Sequence, residues 1–351
     1  MLLFLGALIL LIVFVDVLVT TLILGGGGPL TNRILGKIWR FVLRIHHWHP
    51  NHHLLFLISW LLLIFTAWLW FSLAFLGWCL IFSSSDQALV KASTGEYANL
   101  WERIYFVLYT LSTLGLGDFE PSNTFWQFAT AIASISGFAL LSLIITYLLP
   151  VVSAATNKRQ LALYISSLGG TPEEILTRAW NGKDFGQLNQ HFISLTSQIT
   201  LLGEQHVTYP ILYYFHSAER SRSFALSLVA LDEALTLLSY GVSTSVRPDP
   251  ASIGPLRRAN ASFLKTLTSA YLKPSRHCLP PPSLEELRAY GIPTVSHHKF
   301  EEALEMLELR RRALLTLIWE DGWPSNAAKP LHTLSRANDL DDDFSIKEVL
   351  P

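Results

Sequence analysis

Three long stretches of the chain carry almost no polar side chains. Leu2–Leu24 is apolar except for one carboxylate, Asp16; Leu54–Phe82 and Thr124–Val152 hold no charge at all. A helix needs about 20 apolar residues to cross a bilayer, so each stretch predicts a membrane-spanning helix. The first lacks a basic start and its apolar run is too long for a cleaved leader, so it reads as a retained helix. Between the second and third stretches, residues 83–98 are polar, and residues 99–112 predict a helix too short to cross. A short helix, a glycine-rich turn and a return to the same side form a re-entrant loop. Such backbone is tolerated at membrane depth only where it is buried in protein or lines water.

Between the first two spans, Gly25–Gly28 predicts a flexible break and Thr31 caps a helix running to about Ile45. Arg33, Lys37, Arg40 and Arg44 fall on one face of it, with Ile34, Leu35, Ile38, Val42 and Ile45 opposite. That pattern predicts a helix lying in the membrane interface with its cations toward anionic lipid. An amphipathic helix packed on protein gives the same pattern.

Beyond Val152 the pattern becomes that of a soluble helical domain. Thr171-Pro172-Glu173-Glu174 is a helix start with cap, proline and capping-box glutamate. Helical periodicity continues through Gln187–Leu202, Glu219–Tyr240, Ser262–Leu272 and Lys299–Glu320, with breaks at 247–254 and 279–293. Pro150 is expected to end or bend the third span near its mouth. No alternating strands are predicted. The organisation expected is 1–29, first span and glycine linker; 30–53, interfacial helix; 54–152, pore domain; 153–324, helical cytoplasmic domain; and 325–351, a disordered tail.

Charge sharpens this division. Of the 53 charged residues, 12 fall in residues 1–150, which also hold 8 of the 11 tryptophans. The near-zero net charge gives no reason to expect nucleic acid as a partner. Residues 25–53 carry four cations and no acid, and Lys158 and Arg159 follow the third span, so both segments are expected inside and the N-terminus outside. The two cysteines, Cys79 and Cys278, lie in different halves and predict no disulfide.

The chemistry concentrates in Thr113-Leu114-Gly115-Leu116-Gly117-Asp118. A dehydrated cation needs replacement oxygens, which successive backbone carbonyls supply if they point the same way. An ordinary strand alternates them, so alternate residues need unusual dihedrals, which Gly115 and Gly117 permit. The Thr113 hydroxyl adds an oxygen, and Asp118, Ser112 and Tyr109 are the expected supports. Four such loops close a ring, so one per chain predicts a homotetramer.

Y-T-L-S-T-L-G-L-G-D-F-E-P resembles the pore signature of potassium channels, T-x-G-[YF]-G-D followed by proline, here Pro121. The resemblance covers roughly residues 99–152. It implies a single-pore-loop prokaryotic-type channel: an all-α membrane protein with three transmembrane helices, a re-entrant pore helix and filter, and an all-helical cytoplasmic domain. It implies potassium ions at Thr113, Leu114, Gly115, Leu116 and Gly117, no organic cofactor, and no enzyme. The plasma (inner) membrane is the expected location. The sequence departs from the signature at Leu116, where an aromatic residue is usual; some two-pore-domain potassium channels have leucine there in one of their pores. The aromatic buttress is then lost, with Tyr105 and Phe106 expected to pack behind the leucine. A weakly selective cation channel is the alternative this opens. A membrane-anchored helical sensor is the alternative from another class, and no nucleophile–base pair or phosphate loop supports it.

Gly137 lies mid-helix, 24 residues after Thr113, and resembles the hinge glycine of potassium-channel inner helices; close helix packing is the other reading. Phe138, Leu141, Ile145 and Leu149 share a face expected to line the cavity and gate it. His46, His47, His49, His52 and His53 form a candidate sensor of pH or metal, with interfacial anchoring as the alternative. Asp16, with Thr20 one turn on, is either functional or a carboxyl joining the first helix to its neighbour. The Asp339–Asp343 run lacks the spacing of a calcium loop.

Overall fold

The computed structural model describes residues 1–23, 27–270, 274–324 and 327. Gly25 and Gly26 of the glycine break, nearly all of the tail, and the Asp339–Asp343 run lie outside the described residues. The chain forms two compact units. The first comprises Met1–Arg44, Phe56–Ala155 and Gln205–Phe215; the second comprises Ile45–Leu55, Thr156–Glu204 and the chain from His216 onward.

The first unit is built on α1 (Leu2–Leu22), α2 (Pro29–Trp48), α3 (His52–Phe82), α4 (Leu100–Leu111) and α5 (Thr124–Leu168). The helices α1, α3 and α5 are long and apolar enough to cross a membrane, and less than a third or so of each apolar window is buried within the chain. Exposed apolar surface on that scale belongs in lipid or against other copies of the chain. The Asp16 carboxylate is buried. Its Oδ1 accepts from the backbone N–H groups of Leu30 (2.8 Å) and Thr31 (3.2 Å), and its Oδ2 accepts from Trp70 Nε1 (3.0 Å) and from the Thr31 hydroxyl. It therefore caps α2 from α1, while Thr20 Oγ1 accepts from Gly28 N at 2.8 Å.

Thr31 at the start of α2 also meets Trp70 on α3, with Nε1 3.0 Å from Oγ1. Because residues 49–51 join the two helices directly, α2 runs back along α3 as an antiparallel hairpin. Leu35, Trp39 and Leu43 are its buried stripe, and Trp39 packs on Tyr214 with ring centroids 5.6 Å apart. Arg33, Lys37, Arg40 and Arg44 are all exposed, as expected, but Ile45 is exposed too, so the buried face is rotated from the predicted one.

Other departures have local causes. The α5 helix does not stop at Pro150 but continues to Leu168, taking in Lys158 and Arg159; proline is tolerated in membrane helices when the freed carbonyl finds another partner. Two strands of three residues, β1 (Leu89–Lys91) and β2 (Phe119–Pro121), pair antiparallel, although no strands are expected from the sequence.

The second unit contains α6 (Pro172–Ala179), α7 (Leu188–Thr208), α8 (Phe224–Thr236), α9 (Pro250–Ala270), α10 (Leu284–Ala289), α11 (His297–Met306) and α12 (Glu308–Glu320), with the first unit sharing the end of α7. The predicted start at Thr171 is present, its side chain accepting from Glu174 N at 3.1 Å. Instead of one helix over 219–240, a 3₁₀ turn at Arg220–Arg222 precedes α8, and a wider turn, Leu237–Gly241, follows it. The break expected at 247–254 is shorter, because α9 begins at Pro250. Residues 224–241 are a fourth segment long and apolar enough to span a membrane, but they are almost wholly buried in protein. A helix apolar all round is a core helix when other helices surround it. Its buried Asp232 and Glu233 pair with Arg310 (Nε–Oδ2 2.7 Å) and Arg311 (Nε–Oε1 3.1 Å), as buried charges must.

Candidate functional site

The short helix α4 opens with a complete capping box. Asn99 Oδ1 accepts from Glu102 N (3.1 Å), and Glu102 Oε2 accepts from Asn99 N (2.8 Å). One turn in, buried Arg103 donates to Asp86 Oδ1 (2.7 Å) and to the Ala98 carbonyl (3.0 Å), fixing the preceding loop to the helix. Phe106, Val107, Tyr109 and Leu111 then bury themselves against Trp78, Phe82, Trp126 and Ala133. So α4 is wedged between α3 and α5 and is too short to cross on its own.

At its C-terminus the helix ends in a left-handed cap of the Schellman type. Thr113 N donates to Thr110 O (3.1 Å) and Leu114 N to Tyr109 O (2.9 Å). The backbone then alternates. Thr113 has φ +57°, Gly115 φ +59° and Gly117 φ +80°. Left-handed dihedrals at every second residue remove the ordinary alternation of carbonyls along an extended segment, which is the arrangement a row of cation-binding oxygens needs. The two glycines were expected to adopt this conformation. Thr113 was not, because a β-branched residue at positive φ is an outlier that its surroundings must hold in place. Leu114 and Leu116 are 63% and 48% exposed in the single chain, and no atom lies within 4 Å of where a Cβ on Gly115 or Gly117 would sit. This strip faces out of the subunit.

The exit of the strip is pinned from several sides. Asp118 Oδ2 accepts from Tyr105 OH (3.2 Å), its carbonyl accepts from Ala92 N (3.0 Å), and Tyr109 OH donates to Phe119 O (3.3 Å). Lys91 pairs with Phe119 across the β1–β2 ribbon. Ser112 Oγ donates to Tyr109 O at 3.2 Å. Of the residues expected as supports, Tyr109 and Asp118 bond at the two ends of the strip, while the Ser112 hydroxyl bonds back to Tyr109; the ribbon and Tyr105 also bond at the exit. Tyr105 is engaged with Asp118 rather than free to back Leu116, and Phe106 is committed to the core, its ring centroid 5.2 Å from that of Phe82.

Gly137 makes the closest approach in this region. A Cβ there would lie 2.2 Å from the carbonyl oxygen of Leu111. Its hydrogen side chain lets α5 press on the last turn of α4, immediately before the strip, which is the close-packing reading. Phe138, Leu141, Ile145 and Leu149 are all exposed along one side of α5.

The five clustered histidines are divided. His46 is buried, His47 and His52 are partly buried, and His49 and His53 are exposed. Of those turned inward, His52 lies 3.1 Å from His216, which in turn approaches Asp321, and no feature of the sequence links either residue to the cluster. Among the described residues no group of three or more metal-ligating side chains has the geometry to hold a metal ion.

A protein-family model described as an ion channel matches residues 58–154, a segment running from α3 through the strip to α5. The chain is 34% identical over 322 residues to the uncharacterized membrane protein YdjJ of Bacillus subtilis (strain 168), an alignment covering 91% of this chain and 94% of that protein. No solved structure matches.

Proposed function

Because the chain belongs to the same family as the membrane protein YdjJ and is an ion channel by its pore domain, we propose that it is a potassium-selective channel. Four chains surround one ion path. Residues Thr113–Gly117 supply the oxygens that replace the hydration shell of potassium, and Asp118, Tyr105, Tyr109 and Ser112 hold those residues in shape. Phe138, Leu141, Ile145 and Leu149 line the inner cavity. The observation that carries this reading is the left-handed backbone at Thr113, Gly115 and Gly117. Thr113 is the left-handed residue that caps the end of α4, and Gly115 and Gly117 repeat its conformation at every second position, which turns successive carbonyls one way.

The pore helix adds a smaller electrostatic contribution. Its C-terminus ends just before the filter, so the negative end of its dipole favours a cation there. The N-terminus lies outside, and the second unit is cytoplasmic, in the plasma (inner) membrane. The exposed cations Arg33, Lys37, Arg40 and Arg44 attract anionic lipid on the cytoplasmic side. A weakly selective cation channel is the second reading, favoured by the half-exposed Leu116 in place of an aromatic residue.

Purified protein in liposomes tests the proposal. Potassium efflux is expected from a species with the mass of four chains. Efflux is lost in Gly115→Ala, where a Cβ is placed on a residue at φ +59°. A dimeric species that conducts, or a folded Gly115→Ala that conducts normally, contradicts it.

A further inference from the structure

We propose that the turn after α12, Asp321–Gly322–Trp323, is a proton-operated latch on the α2–α3 turn, closed while His46, His52 and His216 share their neutral-state hydrogen bonds and released when they gain protons. It deepens the channel reading by naming a regulatory input, but its geometry stands apart from conduction.

The donor and acceptor pattern fixes the state of His46. Its Nδ1 accepts from Asn51 N–H at 3.2 Å, and its Nε2 lies 2.9 Å from the carbonyl oxygen of Gly322. An amide N–H only donates and a carbonyl only accepts, so the ring is neutral with its proton on Nε2. A second proton on Nδ1 would face the Asn51 N–H donor and break the turn's own bond. His52 Nδ1 and His216 Nε2 lie 3.1 Å apart, with the rings stacked at 17°. One proton fits between two nitrogens at that distance, and two do not. His216 Nδ1 lies 3.8 Å from Asp321 Oδ2, which also accepts from Ser223 Oγ at 3.1 Å.

The contacts around these rings are close. His52 stacks on Trp323 with ring centroids 4.0 Å apart, and His47 stacks on Trp319 at 3.9 Å. Gly322 has φ +85°, and a Cβ there would lie 2.7 Å from Leu55 Cδ2 and 3.3 Å from His46 Nε2. The turn is therefore shaped to seat against the histidines with no room for another side chain.

Charged and titratable groups face the cluster from several helices. His47 and His53 flank it on α2 and α3, Asp321 approaches from α12, and buried Lys158 on α5 interacts with Asp321. Each added proton leaves an excess positive charge in a desolvated site, which is costly. Burial, and then the neighbouring His46, lower the pKa of His47, in keeping with a site that favours neutral rings. For such a group the unfolded or released state binds more protons, so the closed state is fully favoured above the ordinary histidine range and loses stability as pH falls. His49 and His53 are exposed and form none of these bonds. Because α3 continues from His52 toward the membrane, its first turn is what the latch holds.

Hydrogen exchange of the full chain in lipid nanodiscs tests the latch. After correction for the intrinsic pH dependence of exchange, residues 45–55 and 317–323 should exchange about tenfold faster at pH ~5.5 than at pH ~8, the loss of one or two net hydrogen bonds across the imidazole range. His46→Gln with His216→Asn should flatten that difference. Gly322→Ala, which leaves every histidine in place, should exchange fast at both pH values. Equal protection at both pH values in the native chain overturns the proposal, as does an undiminished pH response in the double variant or a Gly322→Ala chain that stays protected. The same exchange measured on non-conducting Gly115→Ala separates the two readings: failure of the pore reading leaves the exchange result intact.

Discussion

At the scale of single residues, the proposed pore depends on which positions tolerate a left-handed backbone and on what stands behind them. Gly115 and Gly117 were legible in the sequence because glycine marks such positions on its own. Thr113 was not, since its conformation is imposed by the helix end before it and the pinned exit after it, contrary to its own preference. Leu116 was visible as a departure, but its surroundings were not. The Tyr105 hydroxyl is used on Asp118, and about half of Leu116 is exposed in the single chain. A leucine donates no hydrogen bond, so in the proposed filter the ring of carbonyls has less to hold it when ions leave it partly empty. Leu116→Tyr should therefore raise the preference for potassium over sodium at low external potassium, and change it little when potassium is high. Reversal potentials of the two proteins at both concentrations check this. Equal selectivity throughout would make the leucine neutral, and a variant that misfolds would show that the space behind it is already filled.

At the scale of elements, the long apolar helices and the short helix α4 were readable because apolar length and capping chemistry are local signals. The β1–β2 ribbon was not, because three-residue strands carry too little alternation to register. The packing of α2 was also hidden. Its exposed cations follow from spacing, but only Asp16 and Trp70, 54 residues apart, reveal that it folds back along α3. Asp16 offers a test of that arrangement. It accepts four hydrogen bonds and caps α2. A lost cap costs about 1 kcal/mol and a lost interhelical bond in a membrane about 0.6 kcal/mol. Asp16→Ala should therefore lower stability by roughly 1–3 kcal/mol, with Asp16→Asn milder because one acceptor oxygen remains. Thermal unfolding in a mild detergent measures this. A stable Asp16→Asn that no longer conducts would instead give the carboxylate a direct part in function.

At the scale of the whole molecule, one sequence divides into a lipid-compatible part and a helical part held by buried ion pairs such as Glu233–Arg311. Charge and tryptophan distribution pointed to a division near residue 152, whereas the first unit also takes in Gln205–Phe215 and the second takes in Ile45–Leu55. The partners of the histidine cluster did not follow from the sequence, because His52 and His216 are 164 residues apart and only the folded chain brings them together. In the proposed channel, the alternating backbone at residues 113–117 is closed into a ring by four chains and selects potassium. The most direct measurement is the reversal potential of the purified channel in a planar bilayer, with potassium on one side and sodium on the other. A reversal close to the potassium equilibrium potential is the predicted result. A reversal near zero under the same gradient, from a folded protein that conducts both ions equally, would contradict it.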